Sequence, residues 1–140
     1  MAISFLTEDT AFRFTGRRKT AGWLRRVAAE EGCTVGSVSV VFCSDAYLLQ
    51  VNRNYLQHDY YTDIITFDYG EPDRRIISGD LLISVDTVSS NARQFGVSFD
   101  DELDRVMVHG VLHLIGYGDK TDPEARTMRT KEDYYLAKRE

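Results

Sequence analysis

Apolar and polar positions alternate along part of the chain and repeat with a helical period along the rest. Residues 35–42 alternate and are rich in valine, and the short apolar segments 3–6, 64–69 and 76–85 also suit strands. The sequence GEPDR at residues 70–74 is typical of a turn, so the last two strands are predicted to form a hairpin. Gly79 inside the second of them predicts a bulge or a close approach of another group.

Helical periodicity and capping residues predict five helices between and after these strands. They are expected over residues 19–31 (ended by Gly32), from the Ser44 cap to about residue 54, over 87–95 (ended by Gly96), from the Ser98 cap to Gly116, and from an Asp122 cap with Pro123 to about residue 138. This order predicts an α+β fold, a single domain over residues 1–140 whose small mixed sheet of about four strands is covered mostly on one side.

Composition narrows the class of protein. The chain is 43% hydrophobic and 28% charged, with a formal net charge of -5, so contact with nucleic acid would need a local basic patch. No apolar run approaches a membrane span, and the N-terminus lacks the basic start of a signal peptide. Cys33 and Cys43 form no motif, which favours a reduced, cytoplasmic protein without a membrane partner.

Candidate chemistry is concentrated in the helix that Ser98 caps. His109 and His113 lie four residues apart in it and therefore on one face, and Asp119 follows the turn at Gly116. Two imidazoles and a carboxylate make a three-ligand metal constellation at the C-terminal end of this central helix, with a fourth position open as in catalytic zinc sites. Hydrogen-bonded core histidines are the alternative, and the two hypotheses are about equally supported by spacing alone. A structural zinc site would require a fourth ligand, and no cysteine is near.

The stretch HGVLHLIGYGD at residues 109–119 resembles the motif of the YbeY family, roughly H-G-x-L-H-L-x-G-Y-D-H. Residues 52–55 and 62–67 are similar to the family segment N-x-x-Y … T-D-V-L-S-F, and residues 79–84 to G-D-I-x-I-S. The resemblance implies a metal-dependent, single-strand-specific endoribonuclease of rRNA maturation. It also implies one zinc ion, or another divalent metal, and as partners single-stranded rRNA, the ribosomal subunit and ribosomal proteins.

The chain departs from the family pattern in two places. Gly118 replaces an aspartate and Asp119 stands at the third histidine, so the expected metal ligands are His109, His113 and Asp119. Leu56 occupies a position where many members carry an arginine thought to serve RNA binding or catalysis. Arg53 and Lys120 are the candidates for a replacement cation.

Three further cations, Arg17, Arg18 and Lys19, open the first helix and form a candidate RNA-binding patch. Cations at a helix N-terminus oppose the helix dipole, which favours a binding role, although a solvated charged face is the more frequent explanation. The tyrosines Tyr60, Tyr61 and Tyr69 are weaker candidates for base stacking.

The catalytic residues stay open at this point. The general base could be the metal-bound hydroxide, Asp63 or Asp80, although ordinary hydrogen bonding is the commoner role for both aspartates. The third histidine, His58, could reach the metal, but an exposed loop histidine is the stronger interpretation.

Two other functions compete with the nuclease. A metalloprotease ranks low, because Gly110 stands where the H-E-x-x-H motif has its glutamate. A non-catalytic ribosome-assembly factor with a structural metal site is the main alternative, because the third ligand and the family arginine are both changed.

Overall fold

The computed structural model describes residues 2–57 and 62–139. The elements in chain order are β1 (Ala2–Glu8), α1 (Arg17–Glu30), β2 (Thr34–Cys43), α2 (Asp45–Tyr55), β3 (Ile64–Asp68), β4 (Ile76–Ser84), α3 (Val85–Phe95), α4 (Phe99–Ile115) and α5 (Asp122–Leu136). A single 3-10 turn at Pro72–Arg74 lies between β3 and β4.

The four strands form one mixed sheet in the order β1-β2-β4-β3. β1 and β4 both pair with β2 in parallel, whereas β3 pairs with β4 in antiparallel register. The predicted hairpin is therefore confirmed, as is the small mixed sheet of four strands.

The strands alternate between two unequal cores, because successive side chains in a strand point to opposite faces. Val40 and Leu81 face the larger core, which is built with α1, α3, α4 and α5. Val41 and Leu82 face a smaller cluster that α2 covers. This distribution is the α+β arrangement expected from the sequence, with most helices on one side of the sheet.

Helix α4 lies at the centre of the larger core and packs closely on the sheet at Gly110. A Cβ atom at this position would lie 2.8 Å from Ile64 Cδ1 and 2.9 Å from Leu81 Cδ2. Gly79 serves the same contact from the sheet, since a Cβ there would meet Leu114 Cδ2 at 2.9 Å. The close approach predicted at Gly79 is thus confirmed, and it fixes how near the histidine-bearing helix lies to β3.

The final helix begins one residue earlier than the sequence indicated. Thr121 is the N-cap, not Asp122: its hydroxyl accepts from Glu124 N at 3.2 Å, and Glu124 Oε1 accepts from Thr121 N at 3.1 Å. This reciprocal capping box satisfies two backbone donors, which Asp122 as cap would not achieve. The apolar residues of this helix would dock it through Ala125, Met128, Tyr135 and Leu136; Met128 and Tyr135 are buried, whereas Ala125 is exposed.

Other local expectations are confirmed with small shifts. The hydroxyl of Ser44 caps α2. Helix α1 begins at Arg17 rather than at Lys19, and its N-cap residue, Gly16, offers no side-chain cap. Both cysteines are free and buried. No helix in the described ranges has the length and apolar character needed to cross a bilayer.

Candidate metal centre

Local signals in α4 bring its two histidines to one point. Ser98 Oγ accepts from Asp101 N at 3.0 Å to begin the helix, and Gly116, with φ 129°, ends it in a conformation that favours glycine. Between them His109 and His113 lie one turn apart, with ring centroids separated by 4.7 Å and ring planes inclined at 80°. The predicted common face is confirmed.

The loop after α4 carries Asp119 back over the histidines, and it is anchored on both sides. Tyr117 donates its hydroxyl to Glu31 Oε1 at the end of α1 at 2.6 Å. Gly118 lies so close to α5 that a Cβ there would be 2.7 Å from Glu124 Oε2, within the capping box. The Tyr117 hydrogen bond holds the loop before Asp119, and the capping box at Thr121 holds it after Asp119.

The three donor atoms have the spacing that a small metal ion requires. Asp119 Oδ2 lies 3.3 Å from His109 Nε2 and 3.4 Å from His113 Nε2, and all three donor atoms lie within 4.8 Å of one another. Two ligands at the usual zinc distances of about 2.0–2.1 Å, at a tetrahedral angle, are about 3.3 Å apart. The donor set and the two separations from Asp119 therefore fit a tetrahedral zinc ion with one further position.

A buried carboxylate on α5 orients the first histidine. His109 Nδ1 lies 2.6 Å from Glu132 Oε2, which leaves Nε2 directed at the metal position. Arg105, one turn before His109 on α4, in turn binds Glu132 Oε1 at 2.8 Å and Asp133 Oδ1 at 2.6 Å. A carboxylate behind a metal-binding imidazole fixes the ring and raises its basicity.

Charge around His109 favours the protonated imidazole when no ion is bound. Burial alone would lower the pKa of His109, but the hydrogen bond to Glu132 and the charges of Asp119 and Asp63 outweigh it and raise the pKa. A divalent ion would relieve the same excess of negative charge, so these carboxylates favour cation binding at this point.

The two aspartates considered as a general base lie on different sides of the sheet. Asp63 precedes β3 beside α4, where its charge acts on His109; burial raises its pKa, partly offset by that histidine. Asp80 instead accepts from the Tyr69 hydroxyl at 3.1 Å and lines a groove on the opposite face. Of the two aspartates, Asp63 is thus the one whose charge acts on His109.

The predicted RNA-binding cations are dispersed. Arg17 donates to Phe5 O at 3.0 Å, Arg18 is exposed, and Lys19 lines a cavity of about 650 Å³ beside the N-terminal half of α4, away from the ligands. Lys120 is exposed next to Asp119, whereas Arg53 is exposed in the last turn of α2, just before Leu56. Of these cations, only Lys120 adjoins a proposed ligand, because it follows Asp119 in the chain. The RNA-binding patch at residues 17–19 stays a prediction.

The remaining candidates for metal binding and base stacking, one histidine and three tyrosines, are not found at the metal centre among the described residues. His58, Tyr60 and Tyr61 lie outside the described residues. Tyr69 lies in the groove on the far side of the sheet, with Asp80.

Sequence reasoning missed Glu132 and Arg105. A signal for each was present: Glu132 falls on the buried stripe of α5 between Met128 and Tyr135, and Arg105 precedes His109 by one helical turn. A charged residue on a buried stripe needs a partner, but the sequence does not say which one.

Comparisons with known proteins point to one family. A family model described as endoribonuclease YbeY matches residues 3–140. Proteins named endoribonuclease YbeY from Bacteroides thetaiotaomicron and Phocaeicola vulgatus are 50% and 53% identical, covering 99% and 96% of the chain and 100% and 96% of their own lengths. A Thermotoga maritima protein of known solution structure matches with a TM-score of 0.69 at 27% identity, over 99% of the chain and 89% of its own.

Proposed function

The chain belongs to the YbeY family of endoribonucleases, and from this premise we propose that it is a zinc-dependent endoribonuclease. Its proposed substrate is single-stranded RNA. Its proposed role is the processing of rRNA in ribosome maturation and quality control, in contact with the ribosomal subunit and ribosomal proteins.

The observation that carries the proposal is the convergence of His109, His113 and Asp119. Their donor atoms form one triangle, two of whose sides are 3.3 and 3.4 Å, at the mouth of a surface pocket. Asp119 is an oxygen ligand in a set with two imidazoles, a combination that catalytic zinc sites use. The anionic ligand shifts the preference somewhat toward harder divalent metals, so manganese is the natural competitor of zinc.

The proposed reaction is hydrolysis of a phosphodiester: an oxygen of water bonds to phosphorus, one ester P–O bond breaks, and a proton reaches the leaving oxygen. A bound divalent ion with an open position supplies activation of water and polarisation of a phosphoryl oxygen. Glu132 holds the His109 ring in place through Nδ1, and Asp63 is the nearby carboxylate that would exchange a proton with water or with the leaving oxygen.

Close packing at Gly110 argues against a protease. A glutamate side chain at this position, which the H-E-x-x-H motif requires, would collide with Ile64 and Leu81. The carboxylate whose charge acts on His109, Asp63, lies just before β3 instead.

The second candidate is the non-catalytic ribosome-assembly factor, and Leu56 is the observation that favours it. Leu56 is 40% exposed at the end of α2, in place of the arginine that the family resemblance leads one to expect. In that case the chain would bind RNA without cutting it.

One experiment separates the two candidates. Zinc content is measured by elemental analysis, and cleavage is measured on an end-labelled single-stranded RNA and on the same sequence as a duplex. We expect wild type to carry one zinc and cut only the single strand, and His113→Ala to lose both properties. Asp73→Ala, at an exposed turn residue, is the control that keeps both. RNA binding by wild type without cleavage at any zinc or manganese loading would support the assembly factor.

A further inference from the structure

The candidate metal centre opens into a surface pocket that has a cationic wall. The pocket measures about 460 Å³; two ligands, His109 and Asp119, line one side, and α5 lines the other with Arg126 and Arg129. No role has so far been assigned to either arginine.

The two arginines have a fixed spacing on a rigid support. They are three residues apart in α5 and therefore lie on the same side of the helix. Met128 between them is 2% exposed and anchors the helix in the core, and the capping box at Thr121 fixes its first turn. The backbone positions of both arginines are thus fixed relative to Asp119, which lies three residues before the start of α5.

The surroundings of the metal position are otherwise strongly anionic. Asp119, Glu132 and Asp63 all act on His109, and Glu102 is buried nearby. Arg105 is already committed to Glu132 and Asp133 at 2.8 and 2.6 Å. A polyanion approaching this site therefore needs additional positive charge.

Arg126 and Arg129 are free to supply that charge. Arg129 reaches Glu132 only at 3.8 Å, and its side chain is 61% exposed. Arg126 is exposed and makes no ion pair with any residue in 2–57 or 62–139. Guanidinium groups bind phosphate oxygens in a bidentate manner, with little side-chain reorganisation.

We propose that Arg126 and Arg129 form a phosphate-binding pair that holds the backbone of single-stranded RNA across the metal centre. The ligand class is the phosphodiester groups next to the one being cut. This inference rests on the proposed function, since it names how the same site would hold its substrate.

The test compares the double variant Arg126→Ala/Arg129→Ala with the control Arg74→Ala/Arg93→Ala, which removes two exposed arginines from the 3-10 turn and from α3. The probe is a short fluorescent single-stranded RNA, with binding followed by anisotropy over a range of salt. Binding is measured on the zinc-loaded chain and again in the His113→Ala background, where cutting is not expected. Zinc content confirms that each variant with His113 intact keeps its metal site, and thermal unfolding confirms that every variant keeps its fold.

We expect the α5 double variant to bind the RNA about tenfold more weakly. The slope of log K against log salt concentration should become shallower by about 1.4, the value for two lost phosphate contacts on a single strand. Arg126→Lys/Arg129→Lys should recover most of the affinity, and the control should change little. Binding and salt dependence equal to the control would overturn the proposal, even if the chain cuts RNA. Conversely, weaker binding in a chain that never cuts RNA would uphold the phosphate pair and reject the nuclease.

Discussion

His109 Nδ1 lies 2.6 Å from Glu132 Oε2, which joins the histidine-bearing face of α4 to the buried stripe of α5. Glu132→Gln keeps the shape of the side chain but should weaken its hydrogen bond to the His109 ring. Zinc affinity should therefore fall by about 10–100-fold. The measurement is zinc competition against a chromophoric chelator. Asp133→Asn, which removes the neighbouring exposed carboxylate, is the matched control and should change zinc affinity far less. Equal affinity in Glu132→Gln and wild type would show that Glu132 does not support the ligand.

Replacement by alanine should have opposite effects on stability at two helical glycines, Gly110 in α4 and Gly22 in α1. Gly110→Ala would place a Cβ 2.8 Å from Ile64 Cδ1, so overpacking should destabilise the fold by about 1–3 kcal/mol despite the better helix propensity of alanine. In Gly22→Ala the nearest atom is Arg26 Nη1 at 3.7 Å, a flexible side chain, so propensity should stabilise by about 0.5–1 kcal/mol. Chemical denaturation of both variants checks this. A stabilised Gly110→Ala would refute the packing argument.

The carboxylate of Glu31 connects α1 to the ligand loop, because it accepts from the hydroxyls of Tyr117 and Tyr135 and from Lys131 Nζ. Glu31→Gln should destabilise the protein by about 2 kcal/mol near neutral pH, since hydrogen bonds to a charged acceptor are lost. Glu71→Gln, at an exposed turn position, is the control. A neutral-pH stability of Glu31→Gln equal to that of wild type would contradict the expectation.

The same residue predicts a pH dependence with a definite sign. Burial alone would raise the pKa of Glu31, but its three donors outweigh burial and lower the pKa below the ordinary value of 4.5. A carboxyl with a lowered folded-state pKa stabilises the fold above its unfolded pKa and loses that contribution as pH falls through the folded value. The stability gap between wild type and Glu31→Gln should therefore be constant near neutrality and shrink below about pH 4.5. Thermal unfolding across this range tests it, and a gap that widens on acidification would contradict the sign.

The identity of the third ligand can be tested without breaking the site. Asp119→Ala should reduce zinc binding strongly, because one of three protein ligands is lost, whereas Asp119→His should retain it, because imidazole is also a zinc ligand. The metal preference should also change, with manganese competing less well in Asp119→His than in wild type. Zinc affinity in Asp119→Ala that matches wild type would remove Asp119 from the ligand set.

Local signals were sufficient to predict α4 and the convergence of His109, His113 and Asp119. The Ser98 cap, the four-residue histidine spacing and the Gly116 stop act within a few residues of one another, so the sequence displays them directly. Alternation over residues 35–42 likewise predicted the strand β2.

Contacts between residues far apart in the chain could not be predicted from local patterns. Glu132 follows His109 by 23 residues and reaches it only because α5 folds back on α4. The location of Asp80 on the far face depends on strand register, which a short apolar run does not reveal. The Asp122 cap was wrong by one residue because Thr121 and Asp122 are both good N-caps, and only the geometry with Glu124 decides between them.

The proposed ligand set is tested by a crystal structure of the zinc-loaded protein, with anomalous diffraction recorded on both sides of the zinc edge. The expected result is one zinc peak bound by His109 Nε2, His113 Nε2 and an oxygen of Asp119 at about 2.0–2.2 Å, with a further position open to solvent. A saturating zinc soak that gives no peak between these three side chains, or a peak that excludes Asp119, would contradict it.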